Sequence, residues 1–348
     1  MKRAALLALV GLLAACSDGG DASTTAPPKD PATTTAAAST TTAITTTTST
    51  IPAPPARPQT IDELLELGRP IVLAHTAGED QFPGSTMFAF SESVAAGVDM
   101  LDLNVLLSAD GVLVIQHDDS VDRTTNGTGA VADLTYDQIA ALDAAYWFTA
   151  DCGVCDDQPA DAYLYRGIRT GDQPAPAGYT ADDFAIPTFR ALVGRFPDLP
   201  LNIEIKGTGD PALAAARVLA DELVELGRAD ASVVTSFDDP TVAAFHEMLP
   251  DVELSPSLGP TTAWVLDGTP LPDGMRILQL PPVFSDIVVI TPELITKSLA
   301  VGYVIWVWPN NRTLENYDTY VGYLESGITG LNINFPAEGV RAVQDFVY

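Results

Sequence analysis

The run Leu201-Asn202-Ile203-Glu204-Ile205-Lys206 is followed by a helical pattern from Pro211 to Leu226 and then by a second apolar run, Ser232 to Thr235. The helix opens on Asp210-Pro211, a cap and first-turn proline signal. Two short apolar runs separated by a helix of this length fit the crossover that parallel strands need. Working outward, further strand candidates are Ile71 to Ala74, Met100 to Leu106, Val112 to Ile115, Val252 to Leu254, Arg276 to Leu280, Val304 to Val307 and Leu331 to Ile333. Helical spacing near 3.6 marks Met87 to Ala96, Pro240 to Met248, Pro292 to Ala300 and Leu314 to Glu325. Repeated strand–helix alternation predicts an α/β fold with a parallel sheet. One (β/α)8 TIM-type barrel of roughly 250 residues suits the length better than an open sheet.

Two places break the rhythm. Leu106 to Val112 is too short for a crossover helix, and its Asp110-Gly111 pair predicts a tight, hairpin-like turn. The stretch from about 144 to 186 is polar and rich in Gly, Pro and Tyr, and is expected to be an insertion over one rim, making the barrel somewhat irregular. Within it Cys152 and Cys155 form a C-x-x-C pair. A local disulfide is the first reading for an exported chain, with free thiols or a functional pair as alternatives. A zinc site would need two more ligands than the segment offers.

The N-terminus sets the compartment. Lys2 and Arg3 precede an apolar run, Ala4 to Ala14, too short to span a membrane. It ends in Leu13-Ala14-Ala15-Cys16, a signal-peptide cleavage pattern whose Cys resembles the lipobox of bacterial lipoproteins. The expected organisation is therefore a signal peptide and lipobox over 1–16 and a Thr/Ala/Pro-rich tether over 17–60. A folded domain follows over 61–348. The expected location is the bacterial cell envelope, outside the cytoplasm, lipid-anchored at Cys16. The chain carries 46 acidic against 17 basic residues, a formal charge of −29, which argues against nucleic acid as a partner. The oligomeric state is not legible.

In a parallel barrel the chemistry lies where strands end, at their C-terminal face. The strands above end in or carry His75, Asp102, Asn104, His117-Asp118, Glu204, Lys206, Trp308 and Asn311, and Asn332 and Asn334. The third histidine of the chain, His246, falls on a helical pattern and reads as structural. Asp102 and Asn104 are two apart on a strand and share a face. With Glu204 they could hold one hard cation, Ca²⁺ or Mg²⁺, through oxygen atoms. Lys206 shares the face of Glu204 and suits a phosphate oxygen. Each has a plainer reading, a backbone-satisfied aspartate or a Lys206–Glu204 salt bridge.

These residues carry a resemblance. Leu73-Ala74-His75, Gly97 to Val105, Ala109 to Asp118, and above all Val121-Asp122-Arg123-Thr124-Thr125-Asn126-Gly127-Thr128-Gly129 resemble the glycerophosphodiester phosphodiesterase family. Leu201 to Lys206 and Val307-Trp308 with Asn311 are similar to its other motifs. The resemblance implies a barrel that hydrolyses glycerophosphodiesters to glycerol 3-phosphate and an alcohol. His75 and His117 would be general acid and base, Asp102, Asn104 and Glu204 would hold Ca²⁺ or Mg²⁺, Lys206 would contact phosphate and Trp308 would wall the pocket. The chain departs from the family pattern at Thr76 for an Arg, at Gly84 and Ser85 for Glu-Asn, at Asp102 for a Glu and at Asn104 for an Asp. These changes imply weaker cation binding or recruitment of another acid such as Asp118, and a shifted substrate preference. A phospholipid or envelope-polymer phosphodiesterase and a silent phosphate-binding lipoprotein are the alternatives.

Overall fold

The computed structural model describes residues 57–347. The expected signal peptide and lipobox, Cys16 included, and nearly all of the expected tether lie outside the described residues. Eight parallel strands form the sheet: β1 (Ile71–Ala74), β2 (Met100–Leu107), β3 (Leu201–Ile205), β4 (Ser232–Thr235), β5 (Glu253–Leu254), β6 (Ile277–Leu280), β7 (Val304–Val307) and β8 (Gly330–Ile333). Their order is β5-β4-β3-β2-β1-β8-β7-β6, so neighbours in sequence are neighbours in space all round. After them come α1 (Met87–Ala96), α2 (Phe189–Arg195), α3 (Gly209–Glu225), α4 (Asp239–Met248), α5 (Leu258–Asp267), α6 (Pro292–Ala300), α7 (Tyr317–Ser326) and α8 (Pro336–Val347). One helix thus follows each strand, as the barrel reading requires.

The barrel is nearly closed. Only β5 and β6 lack ladder pairing, and side chains bridge that seam. Ser255 Oγ donates to the Ile277 carbonyl at 3.0 Å, and the Arg276 guanidinium donates to Glu253 Oε2 at 3.0 and 2.9 Å. A strand of only two residues has too few ladder groups to close the seam itself.

Alternation along the strands sorts residues into two shells. Val72 and Ala74, Leu101 and Leu103, and Leu201 and Ile203 pack outward into the main core against the helices. Their alternates Ile71, Leu73, Met100, Val233, Ile277 and Trp306 form a separate apolar cluster with Ile61 and Leu64 of the N-terminal helix Ile61–Leu65. Gly330 makes this cluster possible, since a Cβ there would overlap the Trp306 ring.

The predicted hairpin is present. β2 pairs antiparallel with Leu113–Ile115, Val105 facing Ile115, and Gly111 turns the corner at φ 81°. The predicted insertion holds a small hairpin, Phe148–Thr149 with Gly153–Val154, and several 3-10 turns. Ala145, Ile168 and Phe184 pack with Phe88 of α1. Helices α2, α5 and α8 went unread in the sequence. All three are present because tertiary packing supplies what weak periodicity does not.

Candidate active site

Above the apolar cluster the inward positions turn polar. The in-register pairing of β2 with β3 sets Asp102 beside Asn202 and Asn104 beside Glu204. Asn202 exchanges two hydrogen bonds of 2.8 Å with Gln279 of β6, and its Nδ2 also donates to Asp102 Oδ1 at 2.5 Å. Asp102 Oδ2 accepts the Thr76 N–H at 3.2 Å. These amide–carboxylate contacts tie β2, β3 and β6 together inside the barrel, where an unpaired polar group would be costly.

His75 follows β1 directly, and His117 follows Leu113–Ile115. Their ring centroids are 6.3 Å apart with planes inclined at 73°. His75 Nδ1 donates to Asn334 Oδ1 at 2.7 Å, and Glu79 Oε1 stands 3.7 Å away. Burial opposes charging of His75, but the Asp102 and Glu79 carboxylates outweigh it and hold the imidazole pKa above its usual value. His117 Nδ1 donates to Asp118 Oδ1 at 2.7 Å, and Arg123 Nε donates to Asp118 Oδ2 at 2.5 Å. Burial pushes the Asp118 carboxyl upward, yet the His117 and Arg123 bonds hold it well below the usual carboxylate range. Asp118, weighed above as an extra metal ligand, is thus already engaged in orienting His117.

Lys206 joins the two groups. Its Nζ stands 3.3 Å from Glu204 Oε1 and donates to His117 Nε2 at 3.5 Å. A crevice beside this point is lined by Thr76, Glu79, Ser85, His117 and Arg123. Its floor is the β1–α1 loop, where Thr76, Ala77 and Ser85 adopt φ of 47°, 65° and 56°. Non-glycine residues hold that conformation only where surroundings impose it.

Asp102, Asn104 and Glu204 lie on one inward face. Burial raises the Asp102 pKa, and the Glu204 charge pushes it further up. The oxygen-bearing side chains of Asp102, Asn104 and Glu204, two of them carboxylates that repel each other, suit a hard cation held through oxygen atoms, whereas the Asn104 Nδ2, a donor buried without a partner, offers such a cation nothing. Among the described residues no three His, Cys, Asp or Glu side chains form such a cluster. Position 104 contributes an amide, so the inward face of these three residues carries two acids.

Trp308 stands at the end of β7, its ring 6.2 Å from Phe237 beyond β4. Cys152 and Cys155 are joined as a disulfide in the insertion hairpin, their Cα atoms 6.3 Å apart. His246 is exposed on α4, away from these groups. The residues left without a role by sequence reasoning are Glu79, Asp80, Asn202, Gln279, Arg312 and Glu315. Asn202 was signalled by its position two before Glu204 and Gln279 by its place in the Arg276 to Leu280 strand, Glu315 falls within the Leu314 to Glu325 helical pattern, and Glu79, Asp80 and Arg312 come from segments with no periodic signal.

A parallel (β/α)8 barrel with two histidines, a lysine and inward acids at the carboxyl ends of its strands has polar groups gathered where barrel enzymes place their chemistry. The Glycerophosphoryl diester phosphodiesterase family model matches residues 75–338, and the chain belongs to that family. A glycerophosphodiester phosphodiesterase of Bacillus altitudinis is 26% identical over 184 residues, covering 53% of this chain and 64% of that relative. An uncharacterized protein of Mycobacterium tuberculosis is 32% identical over 192 residues, covering 54% of this chain and 56% of its own. The chain therefore matches less than two thirds of the length of these relatives. Among solved structures, an Oleispira antarctica phosphodiesterase in complex with the product sn-glycerol-3-phosphate superposes with a TM-score of 0.60 at 18% identity, covering 79% of this chain and 97% of that one. At that identity the likeness speaks for the fold.

Proposed function

We propose that this chain hydrolyses glycerophosphodiesters with water to glycerol 3-phosphate and an alcohol, by paired general acid–base catalysis at His75 and His117. The observation that carries the reading is the neighbouring pair of imidazoles, each tied at Nδ1, so that Nε2 is the nitrogen turned to chemistry, in His117 once Lys206 is drawn from it. Hydrolysis needs one proton taken from the attacking oxygen and one given to the leaving alcohol, and two imidazoles suit both tasks near neutral pH. Lys206 lies where a phosphate oxygen would displace its contact with His117. Arg123 offers a second cation at the crevice, where Thr76 replaces the family arginine. Asp102, Asn104 and Glu204 would hold a divalent ion, Ca²⁺ or Mg²⁺. When bound, it would neutralise charge on the phosphoryl oxygens.

A second reading keeps the chemistry and changes the substrate toward a phospholipid. Phe237, Val283, Ile287 and Val288 are exposed apolar side chains, Phe237 packs on Trp308, and the Asn310 amide donates to the Val283 carbonyl at 2.7 Å. An envelope location, through lipid attached at Cys16, would bring such a rim near lipid. Loss of fatty-acid labelling in Cys16→Ser tests the anchor.

The deciding experiment measures glycerol 3-phosphate release from glycerophosphoethanolamine with Ca²⁺, with Mg²⁺ and with chelator, beside an arm that measures lysophosphatidate release from a lysophospholipid. Release from the first substrate supports the proposal. Release from the lysophospholipid alone favours the second reading, and no release from either points to a silent binding protein.

A further inference from the structure

His75 is the start of a chain of contacts that runs to the protein surface. Its Nδ1 meets Asn334 Oδ1 at 2.7 Å, and Asn334 Nδ2 donates to Asp80 Oδ2 at 2.9 Å. Asp80 Oδ1 accepts from the Arg312 guanidinium. The four residues come from four separate places: the end of β1, the end of β8, the loop after β1 and the turn after β7. The Asp80 side chain is 10% exposed and that of Arg312 36%.

The direction of the chain is fixed by chemistry. A carboxylate can only accept, so Asp80 holds the NH₂ end of the Asn334 amide and turns its oxygen toward His75. An amide oxygen can only accept, so the proton of neutral His75 must sit on Nδ1, leaving the Nε2 lone pair free. The Arg312 guanidinium donates to the other Asp80 oxygen and holds the carboxylate in place. Without that lock the Asn334 amide is free to present its NH₂ to His75, which would move the proton to Nε2. Glu79, 3.7 Å from Nδ1, would compete for the ring in another orientation.

The insertion hairpin covers the outer end of the chain. Arg312 Nη2 donates to the Asp151 carbonyl at 3.2 Å, and the guanidinium lies 5.6 Å over the Phe335 ring. Gly153, at φ 73°, passes so near that a Cβ would stand 2.6 Å from Asp80 Oδ1 and 3.0 Å from Arg312 Nη1. The disulfide-linked turn is thus shaped around the ion pair.

We propose that Asp80 and Arg312 are positioning residues for the phosphodiesterase reaction, holding His75 through Asn334 as the Nδ1–H tautomer with Nε2 toward the substrate. This rests on the function proposed above, so its first test uses no substrate. In the ¹⁵N spectrum of histidine-labelled protein, with only three histidines to resolve, His75 should show the Nδ1–H pattern. In Asp80→Ala its resonances should leave that single pattern. Turnover of a diester by Asp80→Ala should fall about 10- to 100-fold in kcat with KM nearly unchanged. Asp80→Asn, which keeps an oxygen for the Asn334 amide, should recover most of it. The Asp80→Ala/Asn334→Ala double variant should be no slower than the worse single one. Arg312→Gln, at a half-exposed site, should show a smaller kcat loss and serves if Asp80→Ala does not fold. An Nε2–H pattern for wild-type His75 overturns the proposal, as does a wild-type spectrum or kcat in a folded Asp80→Ala. A chain inactive on every diester with the Nδ1–H pattern intact would count against the enzyme reading alone.

Discussion

Lys206 Nζ stands 3.3 Å from Glu204 Oε1 and 3.5 Å from His117 Nε2, so one ammonium spans an acid of the inner face and the free nitrogen of a histidine. A bound phosphate oxygen would compete for the same ammonium. On the function proposed above, the histidine and the acid would act on one substrate atom group. His117→Ala and Glu204→Ala should each lower kcat/KM by about 10²- to 10⁴-fold. Circular dichroism and melting should stay close to wild type, since neither residue packs in an apolar cluster. Near-normal turnover in either variant would refute the catalytic assignment.

Asn104 faces Glu204 across the strand pair and carries a buried amide nitrogen without a partner. Asn104→Asp adds a third carboxylate to the inward face. The Ca²⁺ or Mg²⁺ concentration giving half-maximal glycerol 3-phosphate release should fall about tenfold or more, the scale of a charged ligand added in a partly buried site. An unchanged or higher requirement would mean that position 104 takes no part in holding an ion.

Gly330 sits where any side chain would run into the Trp306 ring, which is 1% exposed and enclosed by Leu73, Met100 and Ile277. Gly330→Ala should destabilise the chain by at least about 1–3 kcal/mol, because a ring so enclosed has nowhere to go. Denaturant midpoints check this. A midpoint equal to that of wild type would show that the cluster can repack.

Glu315 Oε2 accepts the Tyr320 hydroxyl at 2.5 Å and the Asn334 N–H at 3.0 Å, while Oε1 is buried without a partner. Burial pushes its pKa up from 4.5 to about 7. The folded state therefore favours the protonated acid. The stability this gives is full below the unfolded pKa and is lost as pH rises through about 7. Relative to Glu315→Gln, wild type should lose about 3 kcal/mol between pH 4 and pH 8, the linkage value for this shift. Parallel stability curves for the two proteins would contradict the raised pKa.

Local sequence carried most of the architecture and the parts list of the site. Strand limits such as Ile71 to Ala74 and Leu201 to Ile205, and helices such as Met87 to Ala96 and Pro292 to Ala300, were legible. Period, caps and prolines act within a few residues of each other. His75, His117, Asp102, Asn104, Glu204 and Lys206 were legible because each lies at or beside a strand end, where barrel geometry collects side chains. Tertiary structure alone decided how they are partnered. Asp118 is committed to His117 and Arg123, Asn202 to Asp102 and Gln279, and His75 to Asn334 and, behind it, Asp80 and Arg312. Arg312 and Asp80 are 232 positions apart. No local pattern encodes such a contact, because it exists only once the ends of β1, β7 and β8 are brought to one rim by closing the barrel.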